Sequence, residues 1–277
     1  MIGPDSPALE LLPGARELLR RHALELPQRD DLCGAFCGAL ALGAAGFADR
    51  GGGPVDQDAV ALAAGSIVSG IRESGVLPHG ESGRRDYRIA LPQIEDSDLS
   101  GTTAAGLLEA IVRLSSDELA VIPYKGPWDA TTLEGLFDAA ASLRRPATLV
   151  ANFATHHLWG GRPSVNQLLG YLFEGTQDGP PPDWDVGHFA CVFGRMRGPL
   201  GSLYGIADTY PALGIGGVHV QPQERLAAAL DRRDMPAGGM LVVVSAGDAE
   251  TVRSGANAAG LIEGMWDNGT VTPETLP

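Results

Sequence analysis

The sequence has few cysteines, few aromatic residues and no long apolar segment. Of its 277 residues only three are cysteines, Cys33, Cys37 and Cys191, and 6% are aromatic. A small, odd number of cysteines argues against a disulfide scaffold and is typical of a reducing compartment. The most apolar stretch, residues 34–48, is too short to span a bilayer. Since residues 1–5 resemble no signal peptide, we expect a soluble, cytoplasmic protein.

Basic residues are also scarce relative to acidic ones. The chain has 20 Lys and Arg against 34 Asp and Glu, so its formal net charge is −14. Binding to phosphate groups requires clustered cations, and an anionic bilayer repels an acidic protein. We therefore expect neither nucleic acid nor a membrane as a partner. A hydrophobic content of 44% with 19% charged residues is typical of a globular protein.

The spacing of apolar residues predicts that the N-terminal half is helical. Helices are predicted over residues 8–26 (with a kink at Pro13), 33–42, 56–71, 102–114 and 131–143. The segment from Cys33 to Leu42 contains no charged residue, which predicts a helix that is buried on all sides.

The C-terminal half is richer in short runs of β-branched and apolar residues, which favour strands. Strands are predicted over residues 147–153, 187–194, 202–209 and 240–245, and helical segments over 165–174, 221–232 and part of 258–266. We therefore predict an α+β protein: a helical part (1–145), a mostly antiparallel β part (146–246) and a tail (247–277). No linker separates these parts, so residues 1–277 are interpreted as a single domain.

Cys33 is the candidate nucleophile because it opens the predicted buried helix, directly after Asp31 and Leu32. The positive end of a helix dipole and its free N–H groups favour the thiolate, which is the reactive form of cysteine. Cys37 lies one turn further into the helix, where the helix dipole stabilises a thiolate less. Cys191 lies in a predicted strand. We therefore interpret Cys37 and Cys191 as core residues.

A thiolate nucleophile needs a proton acceptor, which is usually a histidine oriented by an acidic or amide side chain. His188 starts one predicted strand, and Asp208 lies 20 residues later, near the end of the next. In a β-hairpin these two positions are neighbours. The sequence therefore predicts a Cys33–His188–Asp208 triad. The alternative is that His188 is a surface residue and that Asp208 only forms a turn.

Three motifs in this order resemble the papain-like cysteine peptidase superfamily: Asp31-Leu32-Cys33-Gly34, Gly187-His188-Phe189 and Ile206-Ala207-Asp208. The chain is most similar to the bacteriocin-processing (double-glycine leader) peptidase branch. The resemblance covers roughly residues 28–50 and 146–246. It implies a papain-like fold in which a buried helix carries the nucleophile and packs on an antiparallel sheet. Residues 56–145 would then be a helical insertion that is atypical of the family.

The resemblance also implies a function and one further site residue. Gln28 is the family's candidate for an oxyanion-hole side chain, together with the N–H of Cys33. The implied activity is hydrolysis of an amide or peptide bond through a thioester, with no cofactor and no metal. A papain-like acyltransferase or amide ligase and a non-catalytic binding domain are the alternatives. The expected partner is a peptide or a carrier-bound acyl substrate, and the oligomeric state stays open.

Two other groups of residues are potential metal ligands. Cys33, Cys37, His188 and Cys191 have the number of donors that structural zinc requires. However, residues three apart on a strand face opposite sides of the sheet, which argues against convergence of His188 and Cys191. His156 and His157 are adjacent, and on an extended segment their side chains are expected to diverge.

Overall fold

The fold is described here from a computed structural model, which describes residues 7–71, 77–182 and 184–273. The prediction that no signal peptide is present concerns residues 1–5, which lie outside the described residues. No described helix is long and apolar enough to cross a membrane.

The fold is α+β, and the described residues form a main sheet of seven strands. The strands are β1 (Ala8–Leu11), β6 (Leu119–Tyr124), β7 (Ala147–Ala154), β8 (Gly187–Arg197), β9 (Ser202–Ala207), β10 (Val218–Pro222) and β11 (Gly239–Ser245). Their order is β10-β9-β8-β7-β11-β6, and β1 pairs with the end of β8. All of the pairings described in this sheet are antiparallel, as predicted.

Helices cover both faces of the sheet. They are α1 (Ala15–Glu25), α2 (Cys33–Ala44), α3 (Gln57–Ala64), α4 (Ala104–Leu114), α5 (Ala130–Ala141), α6 (Val165–Glu174), α7 (Gln223–Asp231) and α8 (Ala249–Ala258). Short strands β2 (Asp49–Arg50), β3 (Gly53–Pro54), β4 (Val68–Ser69) and β5 (Gln93–Ile94) form two small sheets.

The alternation of side chains along the strands produces two hydrophobic cores. In β11, Leu241 and Val243 pack in one core with α2, α3 and α4. Val242 and Val244 point the other way and pack in a second core with α5, α7 and α8. Successive residues of a strand face opposite sides of the sheet, so a central strand between two helical layers is apolar throughout. Helix α2 lies in the first core and is buried along nearly its whole length, as predicted.

The separation into a helical half and a β half was wrong. Strands β1 and β6 lie in the first 145 residues and belong to the main sheet. Residues 8–26, predicted as one helix, form strand β1 and then helix α1, because Pro13 and the left-handed Gly14 separate them. Segment 56–145, predicted as a helical insertion, contains β6 and therefore supplies part of the sheet.

Several helix boundaries also differ from the prediction. Helix α3 ends at Ala64, where Gly65 takes a left-handed φ of 65°. Helix α5 begins after Asp129, whose carboxylate caps the helix in a capping box with Thr132. The last helix is α8, so residues 258–266 lie mostly beyond it.

Close packing around α2 requires glycine at position 38. A Cβ atom there would come within 2.7 Å of Leu107 Cδ1 in α4 and 2.8 Å of Val60 Cγ1 in α3. At Gly43, in the same helix, a Cβ would meet only the flexible chain of Arg21, at 3.1 Å. Three helices therefore approach one another closely at Gly38 but not at Gly43.

We expect Gly38→Ala to lower the free energy of unfolding by about 1–3 kcal/mol, because overpacking forces the neighbouring helices apart. Gly43→Ala is the matched control, and we expect it to be neutral or stabilising by up to about 1 kcal/mol, since alanine favours the helix. Urea denaturation measures both variants. Equal changes in the two variants would contradict this account of the packing.

Candidate active site

Cys33 lies where the sequence predicted it, at the first position of α2. The preceding residue, Leu32, gives the helix no side-chain cap, and the first intrahelical bond runs from Phe36 N to the Leu32 carbonyl at 2.8 Å. The N–H groups of the first turn therefore have no partner within the helix. The Cys33 side chain is partly exposed and lines a cavity of about 620 Å³.

Asp31 holds the chain in an unusual conformation just before the helix. Its φ is 65°, in the left-handed region that is unfavourable for residues other than glycine. The Asp31 carboxylate accepts a hydrogen bond from the backbone N–H of Ser69 in β4, at 2.7 Å. This contact fixes the turn that aims Cys33 into the cavity.

His188 and Asp208 are in contact, as the hairpin predicted. Strands β8 and β9 pair antiparallel, with Cys191 opposite Ala207, so the start of β8 meets the residue that follows β9. His188 Nε2 lies 2.8 Å from Asp208 Oδ1, and both residues are 2% exposed. The alternative in which His188 is a surface residue is therefore wrong.

Cys33 lies beside the same imidazole ring. Its side chain is close enough to raise the pKa of His188, although less than Asp208 does. Nε2 of this ring binds Asp208 and lies 3.4 Å from the Thr209 hydroxyl. Because Nε2 binds Asp208, Nδ1 is the nitrogen available to Cys33. The rings of Trp184 and Tyr210 lie 4.7 Å and 6.4 Å from the His188 ring, centre to centre, and shield it from water.

The charges of His188 and Asp208 stabilise each other. Burial alone would lower the pKa of His188, but the charge and hydrogen bond of Asp208, together with the contact to Cys33, raise this pKa to about 10. Burial would raise the pKa of Asp208, but His188 and His219 together hold it well below its usual value. This geometry favours an imidazolium–carboxylate pair at neutral pH.

The second oxygen of Asp208 binds a residue that the sequence analysis missed, His219 in β10. His219 Nε2 lies 3.0 Å from Asp208 Oδ2, and His219 Nδ1 accepts a hydrogen bond from Gln221 Nε2 at 3.1 Å. The Gln221 amide is fixed in turn by the backbone N–H and carbonyl of Trp159, at 2.8 Å and 2.9 Å. His219 and Gln221 are two residues apart on one strand, a spacing that would have placed both on one face had β10 been predicted.

Gln28 lies on the wall of the same cavity as Cys33 and His188. Its backbone N–H donates to the carbonyl of Thr209 at 3.0 Å, which ties Gln28 to the residue after Asp208. The side chain is buried, and its Oε1 has no hydrogen-bond partner among the described residues. Gln28 is therefore close to the predicted triad, on the wall of the same cavity.

The other two cysteines lie in the core, as predicted. Cys37 and Cys191 are fully buried, and the Cys191 thiol donates to the carbonyl of Cys37 at 3.9 Å. Burial raises the pKa of Cys37 well above its usual value, so this thiol is not reactive. In the described part of the chain, the four potential zinc ligands Cys33, Cys37, His188 and Cys191 do not bring three donor atoms together.

The prediction that His156 and His157 diverge was wrong. Both lie in a 3-10 turn (Thr155–His157), and their ring centres are 4.2 Å apart. With Asp234 they form a group whose donor atoms lie within 4.8 Å, a geometry that could hold a metal ion. However, His156 already binds carboxylates at both nitrogens, Asp185 at 2.7 Å and Asp234 at 2.9 Å. The cluster therefore satisfies its own polar groups.

Residues 12–267 match the model of a protein family, DUF6885, whose function is unknown. The chain belongs to this family. No curated protein matches the sequence. The matched range includes Cys33, His188 and Asp208.

The pKa of His188 provides a direct test of the pair. We expect NMR titration of the wild-type protein to show His188 losing its proton near pH 10. In Asp208→Asn, burial is left as the main influence, so the pKa of His188 should fall to its ordinary value of 6.5 or below. His157, whose pKa is lowered mainly by burial and by the charge of His156, is the internal control.

The same shift makes stability depend on pH with a defined sign. A raised pKa in the folded state means that protonated His188 stabilises the fold fully below its ordinary pKa of 6.5, and that this stabilisation is lost as the pH rises through about 10. Asp208 remains ionised over this range because its pKa is lowered. Wild type should therefore lose its advantage over Asp208→Asn between these two pH values. An advantage that did not change with pH would contradict the ion pair.

Proposed function

We propose that this protein is a cysteine-dependent hydrolase of amide or peptide bonds with a papain-like scaffold. Cys33 is the nucleophile, His188 the general base and then the general acid, and Asp208 orients His188. The observation that carries the proposal is the arrangement of these three groups. A buried His188–Asp208 pair, 2.8 Å apart, contacts the cysteine at the start of a buried helix that opens on a cavity of about 620 Å³.

In the first half of the reaction, Cys33 attacks the carbonyl carbon of the substrate as a thiolate, beside a His188 ring that already carries its proton. The carbonyl oxygen becomes an oxyanion, which the Cys33 N–H and the Gln28 side-chain amide stabilise. The tetrahedral intermediate collapses to a thioester as the bond to the amine breaks. His188 delivers its proton to the departing nitrogen, and the raised pKa of His188 keeps that proton on the ring until this moment.

In the second half, water attacks the thioester carbon and gives up a proton to His188. The second intermediate collapses and the carboxylic acid leaves, which restores the Cys33 thiolate and the protonated His188. Asp208 stabilises the imidazolium form in both halves without exchanging a proton itself. Trp184 and Tyr210 exclude bulk water from the ring of His188, which strengthens these electrostatic contacts.

The first test measures the reactivity of each cysteine with iodoacetamide at neutral pH, with the modified residues located by mass spectrometry. We expect Cys33 in the folded protein to react at least about tenfold faster than in the denatured chain, because His188 activates the thiol. Cys33→Ala should abolish labelling of the folded protein. Cys37→Ala and Cys191→Ala are matched controls that remove buried thiols and should leave labelling unchanged.

His188→Ala should reduce the labelling rate of Cys33 to that in the denatured chain. A second measurement tests hydrolysis itself. A mixture of tryptic peptides is incubated with wild type or with Cys33→Ala and sequenced, and we expect new peptide termini only with wild type. If Cys33 reacts no faster when folded than when denatured, and no new termini form, the protein is a non-catalytic domain and the proposal is overturned.

A further inference from the structure

Arg232 brings a positive charge to the wall of the candidate active site. It follows helix α7, and only 4% of the residue is exposed. Its guanidinium group lies against Gly187, where an added Cβ atom would be 3.0 Å from Arg232 Nη1. Gly187 directly precedes His188, and all three residues line the same cavity. The absence of a side chain at Gly187 therefore makes room for the guanidinium beside the histidine.

The partners of this guanidinium do not neutralise its charge. Nη2 donates to the Asn152 side-chain oxygen and to the carbonyl of Ala237, both at 2.7 Å. Nη1 contacts only the sulfur of Met235, at 3.6 Å, and sulfur is a weak acceptor. Nε is buried and has no hydrogen-bond partner in the described part of the chain. Among the described residues, no carboxylate lies within ion-pair distance of Arg232.

The other arginines that are buried in the described residues, Arg195 and Arg29, are paired with carboxylates. Arg195 binds Glu10 and Asp138, and Arg29 lies 3.3 Å from Asp58. A buried charge without a counter-ion is costly, so arginines are rarely buried alone. Burial lowers the pKa of Arg232 to about 10, with only a partial opposing effect from Asp234. The cavity wall also carries aspartates. Asp30 and Asp31 accept backbone hydrogen bonds from Arg84 and Ser69, Asp185 binds His156, and Asp98 also lines the wall.

We propose that Arg232 is the anchor of an anion subsite in the active-site cavity, and that the substrates carry a carboxylate group near the bond that is cleaved. This inference deepens the proposed function. The statement about substrates rests on that function, whereas the anion subsite itself does not depend on catalysis. The nitrogen that would meet the anion is Nη1, because Nη2 already binds two acceptors. Its present neighbour Met235 is flexible and can move aside.

A carboxylate fits this site better than a phosphate group. Phosphate sites in proteins combine several cations or backbone N–H groups around one dianion. Here a single guanidinium offers one lightly occupied nitrogen, and Arg85, the other arginine of the cavity wall, is bound to the backbone carbonyl of Ser69. One charge-assisted contact of this kind suits a monoanion.

The test compares two thiol reagents that differ in charge, iodoacetate and iodoacetamide. The measured quantity is the rate of Cys33 with iodoacetate divided by its rate with iodoacetamide. This ratio is then divided by the same ratio in the denatured chain. We expect a ratio above one in wild type, and a decrease of about tenfold in Arg232→Gln, which is the loss expected for one charge-assisted hydrogen bond. Arg233→Gln is the matched control, because Arg233 is exposed and pairs with Asp231.

Arg232→Lys retains the charge and should keep most of the preference for iodoacetate, which separates the effect of charge from damage to the fold. Thermal unfolding followed by circular dichroism confirms that the variants are folded. A measurement on wild type alone needs no variant: acetate should slow the reaction of Cys33 with iodoacetamide, and acetamide at the same concentration should not. An unchanged ratio in a folded Arg232→Gln, or equal effects of acetate and acetamide, would overturn the anion subsite.

These outcomes are separate from those of the proposed function. If Cys33 shows no enhanced reactivity but the ratio still depends on Arg232, the hydrolase proposal fails and the anion subsite stands. If Cys33 is highly reactive and the ratio is independent of Arg232, the hydrolase proposal stands and the anion subsite fails.

Discussion

The buried carboxylate of Asp208 is the group on which the candidate site depends. Its two oxygens bind His188 and His219, and the backbone N–H of Thr209 donates to one of them at 2.7 Å. A carboxylate this deep in a protein is stable only when its charge is balanced and its lone pairs are occupied. Strands β8, β9 and β10 meet at this point. The need to compensate the charge of Asp208 therefore constrains where all three strands place their polar side chains.

The network behind Asp208 makes its two histidines different. The Gln221 amide, held by the backbone of Trp159, donates to Nδ1 of His219, so His219 Nε2 is the donor to Asp208. His188 has no such amide on its other nitrogen and faces Cys33 instead. His219 is therefore a fixed hydrogen-bond donor, whereas His188 is free to exchange a proton with the thiol. Such networks are more stable than their separate bonds, because each bond fixes the geometry of the next.

The sequence was sufficient to predict those parts of the site that depend on local patterns. The uncharged segment after Cys33 predicted the buried helix, and the two apolar runs around His188 and before Asp208 predicted the hairpin that joins them. The sequence was insufficient where tertiary contacts determine the position of a side chain. Strand β10 is short and follows a glycine-rich turn, so His219 carried no recognisable signal. The orientation of Arg232 depends on Gly187, 45 residues earlier in the chain, a relation that no local pattern contains.

Asp208 and Arg232 are opposite charges buried in one site, and they differ in how they are compensated. Asp208 is compensated within the chain by the imidazolium of His188 and by a hydrogen bond from His219, which permits a permanent, rigid geometry around the proton-transfer group. Arg232 is held in place by neutral acceptors, so its position is fixed while its charge is not balanced. A fixed but unbalanced charge beside a cavity is strongest as a binding element when an incoming group supplies the missing charge and displaces little water. In the proposed mechanism, the first charge therefore supports the reactivity of the site and the second its selectivity.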